Sequence, residues 1–155
     1  MSERPRLLIL SFSPIASDAR VLKQVRLFAE RYDVTTCGFG PQPHPDVEHV
    51  QVADPVVPAD PRRARVRGLV TEALKSVRLY RAAYWRNAWA REARQRLRGR
   101  DFDVVLANDV DTVILARTLV GLDRLHVDLH EFWPLEAAAL SGRRRLAGGD
   151  TASRG

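Results

Sequence analysis

The segment 6–39 reads RLLILSFSPIASDARVLKQVRLFAERYDVTTCGF, and its hydrophobic pattern decides the fold class. It opens with a continuous apolar run at residues 7–10, which is typical of a strand buried on both faces of a parallel sheet. Ser17 or Asp18 can cap the following helix, whose apolar residues repeat at helical spacing. Residues 34–39 predict a second strand. Together they predict a strand–helix–strand unit, and such units have a right-handed crossover.

The same alternation of short apolar runs and helical segments continues along the chain. Further strands are predicted at residues 47–52, 102–107 and 125–129. Helices are predicted at residues 62–97 and 111–121. The resulting order is β-α-β-β-α-β-α-β, with helical connections between apolar strands. This order predicts a Rossmann-like, doubly wound parallel sheet of the α/β class.

Length and composition predict one folded domain followed by a tail. The chain has 155 residues, of which 45% are hydrophobic and 28% charged. This is the balance of a globular domain with its own core. We assign residues 1–136 to the domain and predict that the Arg-, Gly- and Ala-rich residues 137–155 are disordered. Such an end is more typical of a premature stop or a frame change than of a domain terminus, so we expect a truncated chain.

The single cysteine and the hydropathy pattern indicate in which compartment of the cell the protein is expected. One cysteine, Cys37, excludes an internal disulfide framework and favours a reducing compartment. No secretory signal precedes the first strand, and no apolar run approaches the roughly 20 residues that span a bilayer. We therefore expect a cytoplasmic protein, with the inner face of the cell membrane as a candidate peripheral location.

Positive charge is concentrated in one segment. Residues 61–100 hold thirteen Lys and Arg against two acids, a net of +11 in a chain whose total is +6. Residues 62–98 could be a surface helix whose apolar stripe, residues 66–88, packs on the sheet. They could instead lie on an anionic membrane, with Trp85 and Trp89 at the level of the lipid headgroups. Nucleic-acid binding is the least favoured interpretation, because no known module accompanies the charge.

Several common sites are absent from the sequence. Residues 11–18 after the first strand contain no glycine, which excludes a dinucleotide-binding loop and a P-loop. His126, Asp128, His130 and Glu131 could suggest a metal site. In a strand, however, the first three side chains share one face and Glu131 lies on the other. Without a second cluster of ligands, we predict no metal site.

Three separate elements carry a family resemblance. They are Ser-Pro-Ile-Ala-Ser-Asp-Ala-Arg-Val at residues 13–21, Asp-Val-Val-Leu-Ala-Asn-Asp at residues 103–109 and Val-Asp-Leu-His-Glu-Phe-Trp-Pro at residues 127–134. In this order they resemble the N-terminal domain of retaining glycosyltransferases of the GT-B fold, family 4. The chain departs from the family pattern at Asn108, where histidine is common, and at Val127, where an aromatic residue is common.

The resemblance implies an acceptor-side domain. In such enzymes a sugar or lipid-linked acceptor binds to this domain, and the sugar-nucleotide donor binds mainly to a second, C-terminal domain. Transfer with retention then needs no metal and no cofactor. A cleft needs both walls, so we expect the chain alone to be inactive and a separately encoded donor domain to be a candidate partner. The alternative is a non-catalytic α/β module for binding or for interaction at a membrane surface.

His130 is the candidate catalytic residue that the resemblance implies. It would line the cleft near the reacting sugar, where a neutral imidazole can hydrogen-bond a sugar hydroxyl. The alternative is a histidine at a strand end whose ring is satisfied by the backbone.

The resemblance also implies a set of substrate-binding residues: Ser13, Asp18, Arg20, Asn108, Asp109, Glu131 and Trp133. Structural roles compete with this interpretation. Asp18 and Asp109 can each cap a helix. Glu131 could orient Arg20 or form an ordinary salt bridge. Trp133 could stack on a sugar ring or anchor the cluster by hydrophobic contact.

Overall fold

A computed structural model describes residues 4–54 and 61–129 of the chain. Within these residues, five strands form one sheet: β1 (Arg6–Pro14), β2 (Asp33–Phe39), β3 (Glu48–Gln51), β4 (Val104–Asn108) and β5 (Leu125–Asp128). The strand order is β3-β2-β1-β4-β5, and every neighbouring pair is parallel. The predicted α/β class with a doubly wound parallel sheet is therefore confirmed, and each of the five predicted strands is present.

Helices cover both faces of the sheet. The described helices are α1 (Ala19–Ala29), α2 (Pro61–Ser76), α3 (Tyr80–Tyr84), α4 (Ala88–Arg96) and α5 (Val110–Ala116), and all of them except α2 contribute buried residues to the core. On one face, Leu7 and Ile9 of β1 pack in a core cluster with Val21 and Val25 of α1. Alternate residues of β1 belong to the other face, where they pack with residues of α3, α4 and α5. This alternation explains why the apolar run of β1 is continuous, since both faces of a central parallel strand are buried.

The prediction of one helix over residues 62–97 is wrong. The chain there forms α2, α3 and α4, and it turns twice between them. Arg78 adopts a left-handed conformation with φ 61°, and the Leu79 N–H donates to the Leu74 carbonyl at 2.8 Å. This is the hydrogen bond of a Schellman helix end, formed here without glycine. Asn87, directly before α4, has an extended backbone with φ −69° and ψ 126°, so α4 does not continue the preceding helix.

The predicted packing of the apolar stripe at residues 66–88 is also wrong over most of its length. Val66, Leu69 and Val77 are 60%, 65% and 64% exposed, so α2 does not bury this stripe. Only the part in α3 reaches the core, through Ala83 and Tyr84. Among the described helices, none is both long and apolar enough to cross a membrane. The α2 segment therefore leaves an exposed surface that is at once apolar and basic.

The helix predicted at residues 111–121 is shorter than expected. It is present as α5, which begins at Val110 and ends at Ala116. The following residues turn tightly, and the Thr118 Oγ1 hydroxyl donates to the Leu115 carbonyl at 2.7 Å. A short 3₁₀ turn at Leu122–Arg124 then leads into β5. The early end brings the chain back to the amino edge of the sheet.

Candidate functional site

Polar residues gather at the edge of the sheet where β1, β4 and β5 end. The carboxyl edge of a parallel sheet is where folds of this class bind ligands. The residues there are linked by hydrogen bonds, ion pairs or strand register, and we refer to them as the carboxyl-edge cluster: Ser11, Ser13, Asp18, Arg20, Gln24, Asn108, Asp109 and Asp128. The cluster therefore contains the five predicted site residues that the structure describes.

Arg20 ties three parts of the chain together. Its Nη2 donates to Asp109 Oδ2 at 2.8 Å, and its Nη1 lies 3.4 Å from Asp109 Oδ1. Nη1 also lies 4.0 Å from Asp128 Oδ2, which accepts a 2.8 Å hydrogen bond from Gln24 Nε2. The hydrogen bond with Asp109 raises the pKa of Arg20 above its usual value. The guanidinium is therefore a fixed positive centre between two carboxylates.

Asp18 fixes the start of α1. Its Oδ1 accepts hydrogen bonds from the backbone N–H groups of Arg20 (3.1 Å) and Val21 (3.2 Å), so the predicted helix cap is confirmed. Its Oδ2 accepts a hydrogen bond from Ser13 Oγ at 3.0 Å, and Ser13 Oγ lies 3.0 Å from Ser11 Oγ. Both oxygens of Asp18 thus have partners within the protein. Asp18 acts first as a structural residue that sets the position of Arg20.

Asn108 has the opposite character, because its side chain is buried and unsatisfied. The residue is fully inaccessible, and neither Oδ1 nor Nδ2 has a hydrogen-bond partner among the described residues. Gln24 Oε1 is likewise buried without a partner in that part of the chain. Leaving a buried amide unsatisfied costs about 1–3 kcal/mol, so such a group calls for an explanation. An amide offers a donor and an acceptor together, which is what a hydroxyl group needs from its partner.

The backbone of Asp109 is strained. Its φ of 67° and ψ of 160° fall in a region that is essentially restricted to glycine. The Asp109 N–H donates to the Asp128 carbonyl at 2.9 Å, and the side chain points to Arg20. Strained residues of this kind concentrate at functional sites, where surrounding contacts hold them in place. The strained backbone of Asp109 and the unsatisfied amide of Asn108 therefore lie side by side at the carboxyl edge of the sheet.

Asp109 also occupies the cap position of α5, but its side chain makes no capping hydrogen bond. The alternative prediction that its carboxylate caps the helix is therefore wrong. The Thr112 Oγ1 hydroxyl donates to the carbonyl oxygens of Asn108 and Asp109, each at 2.8 Å, which ties the first turn of α5 to the end of β4 without capping its N–H groups. Next to it, partial burial and the nearby Asp109 carboxylate raise the pKa of Asp111, in the first turn of α5, to about 6.

Gln24 and Asp128 are members of the cluster that the sequence did not identify as substrate-binding. Gln24 lies four residues after Arg20 on the same face of α1, a spacing that could have indicated it. Asp128 is the register partner of Asn108 in the β4–β5 pair, which only the strand pairing reveals. Three predicted site residues, His130, Glu131 and Trp133, lie outside the described residues, and their roles stay predictions.

Metal and nucleophilic chemistry find little support among the described residues. No group of three or more His, Cys, Asp or Glu in residues 4–54 and 61–129 is placed to hold a metal ion. Arg20 occupies the space between Asp109 and Asp128. Cys37 is fully buried in β2, and this burial raises the pKa of its thiol to about 12. A thiol with so high a pKa is a poor nucleophile near neutral pH.

Comparisons of the chain with protein-family models, with curated proteins and with solved structures found no match. The family resemblance therefore rests on three short sequence elements, of which the structure describes residues 13–21, 103–109 and 127–129.

Proposed function

We propose that this chain is the acceptor-binding half of a retaining glycosyltransferase similar to family 4 of the GT-B fold. One observation carries the proposal. The first of the three elements is distant in sequence from the other two, with 89 positions between Arg20 and Asp109, yet Arg20 contacts Asp109 of the second element and lies 4.0 Å from Asp128 of the third. Motifs that belong to one binding site should converge in this way. Independent surface motifs need not.

The chemistry of the cluster suits a hydroxylated acceptor. Among the described residues, the Asn108 amide and Gln24 Oε1 have no partner, and a sugar hydroxyl, which can both donate and accept, would satisfy them once the side chains that bury them move aside. Arg20 and Asp109 pair with each other, Asp18 is bonded to Ser13 and to backbone N–H groups of α1, and these contacts hold the wall of the site in place. Under the proposal, His130 keeps the catalytic role that the resemblance implies, and a second domain supplies the sugar-nucleotide donor. A cytoplasmic or membrane-peripheral location belongs to the same proposal.

Acceptor binding can be tested separately from transfer. We expect saturation-transfer NMR against a panel of monosaccharides and disaccharides to find a ligand whose affinity falls at least tenfold in Asn108→Leu, because a ligand hydroxyl would lose both of its amide partners. Asn87→Leu is the matched control, since the same substitution lies outside the cluster. Equal binding by the wild type and Asn108→Leu would refute the assignment of the site.

Transfer needs a second experiment. With a labelled sugar nucleotide, the 155-residue chain alone should show no transfer, and the chain expressed with a downstream donor domain should show it. Appreciable transfer by the chain alone would contradict the two-wall argument. Acceptor binding without transfer in either form would favour the alternative of a non-catalytic binding module.

A second candidate function is binding to an anionic membrane surface, and exposed apolar residues in and just after α2 favour it. Val66, Leu69 and Val77 stand exposed on a segment that carries most of the protein's positive charge. Apolar residues among arginines suit the interface of an anionic bilayer. Flotation with anionic and neutral vesicles tests this. We expect anion-dependent binding that Leu69→Ser weakens and that Leu27→Ser, at a residue 60% exposed on α1, leaves unchanged. Equal flotation with both vesicle types would rule out this candidate function.

A further inference from the structure

A cavity of about 670 Å³ opens at the amino edge of the sheet, away from the carboxyl-edge cluster. Residues 97–100 precede β4 and residues 118–119 follow α5, so both segments lie where the parallel strands begin. The volume falls in the range of small-molecule sites, about 300–1,000 Å³. We refer to this cavity as the arginine pocket, after four of its lining residues: Arg91, Arg94, Arg98 and Arg100.

Two of these arginines are held in place by neighbours. The Arg94 guanidinium carbon lies 5.1 Å from the centre of the Trp85 ring, which also lines the pocket. Arg100 Nη1 lies 2.7 Å from Glu48 Oε1 at the start of β3. Such contacts reduce the side-chain entropy that a ligand would otherwise have to overcome. The pocket therefore presents two arginines that are partly pre-organised.

Among the described residues, the other two arginines have no acidic partner. Within the described residues, neither Arg91 nor Arg98 makes an ion pair, and no acidic residue lines the pocket. The positive charge of the pocket is thus only partly compensated by the protein.

Neutralising the end of helix α4 does not account for this charge. A helix carboxyl end carries about half a negative charge. Residues 91–100 hold five arginines and one acid, and Glu48 adds a second acid beside Arg100, so the local net charge is +3. After the half negative charge of the helix end is taken into account, a local charge of about +2.5 remains uncompensated. One arginine would suffice for the helix, and the pocket carries four.

We propose that the arginine pocket binds a phosphate-bearing anion with more than one negative charge. The guanidinium group presents a planar fork of donors that matches phosphate oxygens in pairs. Four such groups around one cavity favour a diphosphate or a larger phosphate group over a single monoanion. The phosphate could be free in solution or part of a lipid headgroup. The inference is independent of sugar transfer, because it uses none of the residues of the carboxyl-edge cluster.

Inorganic pyrophosphate is the probe for the free form, measured by isothermal titration calorimetry on the full chain. We expect a single saturable site that Arg94→Gln/Arg98→Gln weakens about tenfold, since two charge-assisted contacts are lost. Arg26→Gln/Arg31→Gln is the matched control. It removes the same charge from exposed arginines in and just after α1, on the opposite face of the sheet, and should change the affinity less than twofold. Circular dichroism checks that both double variants are folded.

A parallel arm uses vesicles of phosphatidic acid, whose phosphomonoester headgroup can carry two negative charges, in phosphatidylcholine against pure phosphatidylcholine. Pyrophosphate binding that only the pocket variant loses supports the site with a free phosphate ligand. Vesicle binding that only the pocket variant loses, without pyrophosphate binding, supports the site with a lipid headgroup. The proposal is overturned if neither probe binds, or if the pocket and control variants lose binding equally.

Discussion

The backbone of Asp109 permits a quantitative test of strain at the carboxyl edge. At ordinary positions alanine is more stable than glycine, because glycine loses more backbone entropy on folding. With φ 67° and ψ 160°, Asp109 should reverse this order. Conformations of this kind cost about 1–3 kcal/mol for a residue with a side chain, and glycine adopts them without that cost. Asp109→Gly should therefore be more stable than Asp109→Ala. Both variants lose the ion pair with Arg20, so its contribution cancels.

Helix capping is the effect that could imitate this result, because glycine is also a better cap than alanine. Asn87 provides the control. It occupies the cap position of α4 as Asp109 occupies that of α5, its side chain likewise makes no capping hydrogen bond, and its φ of −69° and ψ of 126° are unstrained. The difference between glycine and alanine at position 87 therefore contains capping and entropy alone. Subtracting it from the difference at position 109 should leave about 1–3 kcal/mol of strain.

Urea unfolding of the four variants, followed by circular dichroism, measures these differences in the free energy of unfolding. If the glycine–alanine differences at positions 109 and 87 agree within about 0.5 kcal/mol, the backbone of Asp109 is not strained, and one argument for a site at this edge is lost.

Three further predictions concern the core and its titrating groups. A Cβ at Gly38 would overlap the Ser11 carbonyl oxygen, so Gly38→Ala should lower the free energy of unfolding by about 1–3 kcal/mol. In contrast, Gly68→Ala in α2 meets no atom and should raise it by about 0.5–1 kcal/mol; the same sign at both positions would contradict the packing argument. Desolvation lowers the pKa of His49 below 6.5, so protonation favours the unfolded state and the urea midpoint should fall as the pH drops below 6.5 and through the folded-state pKa. His49→Gln should flatten this dependence, and an unchanged slope would exclude His49 as its source. Burial raises the pKa of the Cys37 thiol to about 12, so a disulfide reagent at pH 8 should label it only as fast as the protein unfolds; rapid labelling of the native protein would refute this.

The fold class could be predicted from the sequence because the strands are short, apolar and separated by clear breaks. The continuous run in β1 and the cap at Asp18 are local signals, and both are found in the structure. The long basic segment was mispredicted because no Pro or Gly marks its turns. Helical spacing of apolar residues continues through Arg78 and Asn87, where the backbone leaves the helix. A periodic pattern shows which residues could share a helix face, but it does not show that the helix is continuous.

The candidate site was predictable in part for a similar reason. Asn108 and Asp109 end a strand, and the carboxyl edge of a parallel sheet gathers such residues. The pairing of Arg20 with Asp109 and Asp128 depends on the strand order, which places β1, β4 and β5 side by side. Nor can a sequence indicate which side chains satisfy one another and which are left without a partner. That distinction appears only with the hydrogen bonds.

The same distinction indicates what kind of ligand each edge of the sheet can take. At the carboxyl edge, Arg20 is paired with Asp109, Asp18 accepts hydrogen bonds from Ser13 and from the backbone of α1, and the amide of Asn108 has no partner among the described residues. An incoming anion would have to compete with Asp109 for Arg20, whereas a neutral hydroxylated ligand only completes the hydrogen bonds of the amide. At the amino edge, Arg91 and Arg98 are left without acidic partners within the described chain, so an anion is the favoured ligand there. The two edges should therefore bind independently. Saturating pyrophosphate should leave the affinity for a neutral saccharide unchanged, and strong competition between them would place both ligands in one site.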